Sequence, residues 1–326
     1  MNDKQSNQQI ESVGQGVQPE SLREISRSDL VSAIRMFLSD NTDTNRRVVQ
    51  SAIIRWVNQR TQKYVTVSSA YTIKYLMLER PLLDMDADTL YRGMNLGEVK
   101  EKSKKPILLI LQSNGGQIEP AYFIGKLLLN EAELQVAVPR KAKSAASLIC
   151  CAASKIHMGG LSELGPIDPQ INGVPALGLK NAIQHIAELS SKYPDATDLF
   201  VGYMSNRVEP LDLGYYERVV ESSMQYAIRL LSTAHKDMSP QDINEIARTL
   251  TYEYKDHGFV IDRQEAGAIF HSDTILNDTP AYRFSDIVYK EVQFIRSIAH
   301  DFGYSFSLVG SDVNAIDFRR LPKQRR

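Results

Sequence analysis

Cysteine is nearly absent from this 326-residue chain, which has only two, Cys150 and Cys151, side by side in an apolar run. Neighbouring cysteines rarely bridge, so no disulfide framework is expected, and buried free thiols in a reducing compartment are the simple reading. Metal ligation would need further Cys or His at suitable spacing, and none is nearby. Long hydrophobic runs are missing too. The longest fall far short of the ~18–20 residues that span a bilayer, so no membrane insertion is expected. The N-terminal stretch 1–18 is rich in Gln, Asn, Ser and Gly. It lacks the basic start, apolar core and small-residue cleavage site of a secretory signal, so a soluble, cytoplasmic protein is expected. Charge of one sign is also lacking. A formal net charge of −1 offers no global attraction to nucleic acid or anionic lipid. The basic cluster at 319–326 reads as a solvated local tail.

What is present is ordinary globular material, 43% apolar and 24% charged, long enough for one large domain with extensions or two small ones. Residues 1–20 read as disordered. Helices are predicted over 28–38, with Leu30, Ile34, Phe37 and Leu38 on one face, and over 47–60 around Val49, Ile53 and Trp56, with a polar loop at 41–44 between them. This helical pair reads as an appendage for packing or self-association. Residues 64–67 have strand composition, and a helix over 84–94 has Asp86 and Asp88 near its start, where the dipole favours them. Strand 107–111, helix 119–130, strand 134–138, helix 144–153 and strand 155–158 then alternate with short links. That alternation implies βαβ units and a largely parallel sheet, an α/β fold. Helices over 215–235 and 240–250 follow, the second capped by Ser239, then a strand-like 259–261 and a helix capped by Asp262. No internal repeat is evident.

Two features of this alternation carry chemistry. Strand 107–111 runs into Gln112-Ser113-Asn114-Gly115-Gly116, and Ser144 opens the helix after the next strand. Neighbouring parallel strands end at one sheet edge, where ligand sites form. A glycine pair there offers free backbone N–H groups to an oxyanion, and a serine at a helix N-terminus offers a nucleophile where the dipole favours a developing anion. Each alone has a plainer meaning: glycine supplies turn geometry and serine caps helices.

At this point the motifs resemble a known superfamily. Gln112-Ser113-Asn114-Gly115-Gly116-Gln117-Ile118 resembles the Gly-Gly turn of the Clp protease proteolytic subunit and of signal peptide peptidase A. Pro139, Ala142-Lys143-Ser144-Ala145-Ala146-Ser147-Leu148-Ile149, then Ala152 to Met158, then Leu164-Gly165-Pro166-Ile167-Asp168-Pro169-Gln170 are similar to the serine dehydrogenase proteinase family, a soluble branch of that superfamily. His257-Gly258-Phe259-Val260-Ile261-Asp262, with Glu265-Ala266, resembles that family's C-terminal element. Ala146 stands where the family has Gly, Ser147 where it has Thr, and Ser154 where it has Asp. The Ala146 substitution adds a methyl near the expected oxyanion site.

The resemblance implies a ClpP/crotonase-like fold of repeated ββα/βαβ units, with a helical N-terminal extension and a helical C-terminal region. The expected divisions are a tail at 1–20, a helical extension at 21–62, the peptidase domain at 63–290 and a C-terminal extension at 291–326. It implies an ATP-independent serine peptidase acting through an acyl-enzyme, with Ser144 rather than Ser147 as nucleophile and the N–H groups of Gly116 and Ala145 as the oxyanion hole. No cofactor is expected. Peptide or protein substrates and a homo-oligomer are implied.

The base is open at this level. No His lies where the Clp peptidase places one, so a Ser–Lys dyad of the signal-peptide-peptidase kind is the expectation. Lys180, in apolar surroundings, is its first candidate, Lys192 a weaker one and His257 the best histidine. A lysine serves as base only when burial or positive neighbours lower its pKa. Lys141 and Lys143 are expected to face solvent or substrate, and Asp168 to shape the substrate-binding turn. Two rivals remain: an inactive scaffold or peptide-binding relative, and a crotonase-type acyl-CoA enzyme that would not need the Ser144 hydroxyl.

Overall fold

The computed structural model describes residues 24–93, 105–171, 174–205, 210–254, 256–271, 273–311 and 316–322. The expected tail at 1–20 and the end of the basic cluster lie outside the described residues. In chain order the elements begin with helices α1 (Arg27–Ser39), α2 (Asp43–Thr61) and α3 (Val65–Ala70), strand β1 (Thr72–Met77) and helix α4 (Asp84–Arg92). Next come β2 (Ile107–Gln112), α5 (Ile118–Glu131), β3 (Leu134–Val138), β4 (Lys141–Ala142), α6 (Ala145–Cys150), β5 (Lys155–Met158), β6 (Glu163–Leu164), β7 (Gln170–Ile171) and β8 (Val174–Pro175). Helices α7 (Ala176–Lys192), α8 (Thr197–Ser205), α9 (Pro210–Ala234) and α10 (Pro240–Arg248) follow. The chain closes with β9 (Ile261–Asp262), α11 (Arg263–Ile269), β10 (Ile275–Asn277), α12 (Pro280–Asp301), β11 (Tyr304–Gly310) and β12 (Ile316–Arg320).

The central sheet has seven strands in the order β10-β5-β3-β2-β1-β11-β12. Its first five run parallel, β11 runs antiparallel to β1, and β12 runs antiparallel to β11. The mixed α/β reading with a mostly parallel sheet therefore holds. Strand β2 is buried along its whole length, as a parallel strand covered on both faces must be. Its side chains alternate between two apolar clusters. Ile107, Leu109 and Leu111 join the cluster under α5, α6 and α9, while Leu108 and Ile110 join the one under α1, α2 and α12. The N-terminal helices thus pack onto the sheet's second face. Trp56 stacks on Phe294 at 5.6 Å, and its indole N–H donates to Glu291 at 2.7 Å.

Several expectations need correction. Residues 64–67 are not a strand. A 3-10 turn over Gln62–Tyr64 leads into α3, and the strand lies further on, at β1. Four β-prone residues cannot separate strand from helix, and β1 is disguised by Lys74, a buried lysine whose ammonium lies 3.9 Å from Glu131. The expected loop at 41–44 is already helical from Asp43, because Thr42 accepts from the Asn45 N–H and caps α2. The helix expected over 144–153 is only the six residues of α6, followed by i-to-i+3 turns at Cys151, Ala152 and Ala153. Strand β9 is shorter than 259–261 suggested, and Phe259 and Val260 are exposed before it. Within the stretch expected as a C-terminal extension, β11 and β12 are strands of the central sheet, and Arg319 pairs with Asp317 there. Both cysteines are buried and unbridged. Among the described residues, no helix is long and apolar enough to cross a membrane.

Candidate active site

The parallel strands β2 and β3 end at one edge, and the chain beyond them is stitched into a single turn cluster. The Ser113 N–H donates to Lys141 O at 3.0 Å, the Lys143 N–H returns to Ser113 O at 3.1 Å, and the Lys141 N–H donates to the Gln112 side chain at 3.0 Å. On the other side, the Leu82 N–H donates to Gly115 O at 2.8 Å and the Gln117 N–H to Leu82 O at 2.9 Å. The glycine pair is clamped between these two segments.

Both glycines are required. Gly115 has φ 98° and Gly116 φ 150°, a range that side chains oppose. Space is lacking as well: a Cβ on Gly116 would lie 2.3 Å from the Leu82 nitrogen, and one on Gly115 would lie 2.7 Å from Ser144 Cβ. The glycine turn and the serine turn are in direct contact.

Ser144 has φ 53° and ψ −123°, a conformation that costs a non-glycine residue about 1–3 kcal/mol. It occupies the N-cap position of α6, yet its side chain makes no capping hydrogen bond. A serine kept in such a turn without capping is therefore not explained by helix initiation. Ser147 differs. Its hydroxyl is buried, donates to Ala142 O at 2.6 Å and accepts from the Gly165 N–H at 3.0 Å. Its bonding is structural. Among the described residues, neither the Gly116 nor the Ala145 N–H is spent on a protein hydrogen bond, whereas the Gly115 N–H donates to Ser113 Oγ at 3.0 Å. Ala146 donates its N–H to Lys143 O at 3.0 Å and is fully buried in the apolar cluster.

The basic candidates fall in different places. Lys180 lies on α7, and its side chain is outside the described residues. Lys192, in the last turn of α7, is exposed, its ammonium 5.5 Å from the Tyr193 ring centre. Lys143 is not turned to solvent. Its ammonium donates to Gly258 O at 2.9 Å and sits 3.5 Å from the Glu163 carboxylate. It is a strut between the serine turn and the segment bearing His257.

That segment is joined to the site by a second, small sheet of order β4-β6-β9. Ala142 pairs with Leu164, and Leu164 with Ile261. Beyond it, His257 Nδ1 lies 3.8 Å from Oδ2 of Asp168, whose side chain is only 2% exposed. Neither His257 Nδ1 nor Asp168 Oδ1 has a hydrogen-bond partner among the described residues. Both residues stand in the motifs quoted above, but spacing does not join them, because they lie on different motifs far apart in the chain. Among the described residues, no group of three or more His, Cys, Asp or Glu side chains could hold a metal ion.

The fold and the turn define an α/β protein with a serine on a strained loop-to-helix turn beside a glycine pair. Residues 53–206 match the model of the ClpP-like SDH-type serine proteinases. The family is one of serine peptidases, which are hydrolases. Two uncharacterized proteins of Methanocaldococcus jannaschii are similar. MJ0137 is 42% identical over 81 residues, 24% of this chain and 28% of the relative. MJ1495 is 32% identical over 133 residues, 40% of this chain and 43% of the relative. The chain thus spans less than half the length of either relative. The family match covers the glycine turn and Ser144 and stops before His257.

Proposed function

We propose that this chain is a serine peptidase of the ClpP/crotonase fold that cleaves peptide bonds through an acyl-enzyme on Ser144, without ATP. The observation that carries the reading is the pairing of an uncapped serine at φ 53° with the uncommitted Gly116 and Ala145 N–H groups, on turns that touch. The Ser144 oxygen attacks the carbonyl carbon as a general base takes its proton and later hands it to the leaving nitrogen, and the carbonyl oxygen takes the negative charge between the two N–H groups. Each such donor is worth about 10²–10³-fold in rate in comparable sites. Collapse of the intermediate expels the amine, and water then releases the acyl group. The match of residues 53–206 to that family of serine peptidases supports this assignment. Peptides or proteins are the substrate class, and a homo-oligomer is the assembly; large apolar side chains exposed on α8, Leu199 and Val201, support an interface there.

The test is covalent labelling by a fluorophosphonate, read by intact mass, together with cleavage of a peptide library. A single adduct on the wild type that is lost in Ser144→Ala is the expected result. Absence of both adduct and cleavage in the wild type would overturn the peptidase in favour of a scaffold or thioester-binding role.

A further inference from the structure

We propose that the cleft between α4 and β12 is a binding site for a small phosphate monoester, separate from the Ser144 turn. The cleft encloses about 290 Å³, near the lower end of the ~300–1,000 Å³ range of small-molecule sites. Its lining comes from α2, α4, β11, β12 and the loop after β1. No residue of the glycine turn or the serine turn lines it, so the inference stands whether or not the chain is a peptidase.

The floor is a closed set of ion pairs. Arg80, 9% exposed, donates twice to Asp86 at 2.7 Å and twice to Asp317, at 3.0 and 2.8 Å. Its fifth donor goes to Pro81 O at 3.1 Å, so the guanidinium is fully spent. Arg319 donates to the same Asp317 oxygen at 3.0 Å. Two guanidinium groups thus offset two carboxylates. The floor fixes the shape of the cleft and has no surplus charge.

The surplus stands on the walls. Arg46, in the first turn of α2, and Arg92, in the last turn of α4, are exposed and line the cleft from two separate helices. Among the described residues neither forms an ion pair, and the Arg92 guanidinium has no hydrogen-bond partner. Arg46 is steadied by the Phe37 ring, 5.3 Å from its guanidinium, and by a 3.4 Å hydrogen bond to Asn41. Placement near a helix C-terminus would account for Arg92 alone. It does not account for Arg46, which stands at a helix N-terminus, where the dipole opposes a cation.

Two cations on one small cleft repel each other unless an anion lies between them. A phosphate group suits this arrangement. With a second pKa of about 6 it is mainly a dianion at neutral pH, and its tetrahedral oxygens accept from two guanidinium forks approaching from different sides. A carboxylate brings one charge and one planar edge, which suits a single arginine. The rest of the lining is apolar, from Met85, Val309 and Ile316. Inorganic phosphate would leave that wall uncovered, whereas the organic part of a monoester packs against it.

The test is isothermal titration calorimetry on the full chain with phenyl phosphate, inorganic phosphate and benzoate at one ionic strength. Phenyl phosphate is expected to bind tightest. Arg92→Ala and Arg46→Gln are each expected to weaken it about 10–100-fold, the scale of a hydrogen bond between charged groups. Arg229→Ala, at an exposed position of α9, should leave it unchanged. Should either cleft variant lower the melting temperature, Arg46→Lys and Arg92→Lys, which keep the charge and lose the fork, give the same readout with a smaller loss. No binding of phenyl phosphate at millimolar concentration overturns the site. So does equal binding by the wild type and both cleft variants, or an equal loss in Arg229→Ala. Benzoate binding as tightly overturns the phosphate assignment, and inorganic phosphate binding as tightly overturns the monoester.

Discussion

Gly115 rests against Ser144: a methyl group added at Gly115 would lie 2.7 Å from Ser144 Cβ and 2.7 Å from the Lys143 carbonyl oxygen. Backbone groups on both sides are hydrogen-bonded and cannot step aside, and the φ of 98° adds strain of its own. Gly115→Ala is expected to lower the melting temperature and to cut the acylation rate of the folded fraction at least ~10²-fold, the scale of losing one oxyanion donor. Fluorophosphonate labelling of samples matched for folded protein measures this. A wild-type rate in the Gly115→Ala variant would show that the two turns are not coupled.

The two serines of the motif separate stability from activity. Ser147→Ala leaves the Gly165 N–H and one acceptor at Ala142 O unpaired in a buried site, so a loss of about 1–3 kcal/mol in urea unfolding is expected. Ser144→Ala removes no capping hydrogen bond and should leave unfolding nearly unchanged while abolishing labelling. The reverse pattern would assign the chemistry to Ser147.

His157 is a pH-dependent element of the fold. Its Nδ1 accepts from Thr279 Oγ1 at 2.8 Å and its Nε2 donates to Gln135 at 3.0 Å, a neutral tautomer consistent with Thr279 accepting from the Tyr282 N–H. Burial lowers its pKa to about 4. The unfolded chain, near the ordinary value of 6.5, binds the proton first. Stability from this group is therefore complete above pH ~6.5 and is lost as pH falls toward ~4, by about 3 kcal/mol at most. Urea midpoints between pH 7 and 4 measure it, and His157→Gln should flatten the slope.

Arg80 grips Asp86 with two bonds of 2.7 Å and reaches Asp317 of β12 at 2.8 Å. Asp86 is 1% exposed and also accepts from the Leu83 N–H. Asp86→Ala leaves a largely buried guanidinium short of a partner, so a loss of about 3–5 kcal/mol is expected by chemical denaturation. A loss under about 1 kcal/mol would mean that the pair behaves as an exposed ion pair.

Desolvation raises the Cys150 and Cys151 thiols far above their ordinary range. A disulfide reagent at neutral pH should leave both unmodified in the native protein and titrate two thiols in denaturant. Rapid reaction of the folded protein would contradict this burial.

Local signals were enough for much of the fold. The unbroken apolar run Ile107 to Leu111 announced a strand, and its burial along the whole length follows from its place inside the parallel sheet. Ser239 and Asp262 announced helix starts, since their side chains satisfy the first free N–H groups within three residues. Ser144 and the glycine pair were legible for the same reason: backbone chemistry of that kind is written in a few adjacent residues.

Contacts between distant segments were not legible. Strand β1 was missed because Lys74 breaks its apolar pattern, and only the folded chain supplies Glu131 to pair with it. Strands β11 and β12 pass as a C-terminal extension until the edge of β1 receives them. The strain at Ser144 is imposed by its surroundings, so no propensity could report it. The sequence by itself determined which residues can form strands, caps and a glycine turn beside a serine, because those properties are local. Only the tertiary structure decided that Asp168 and His257 face each other at the end that carries Ser144, since that meeting is made by the pairing of β4, β6 and β9.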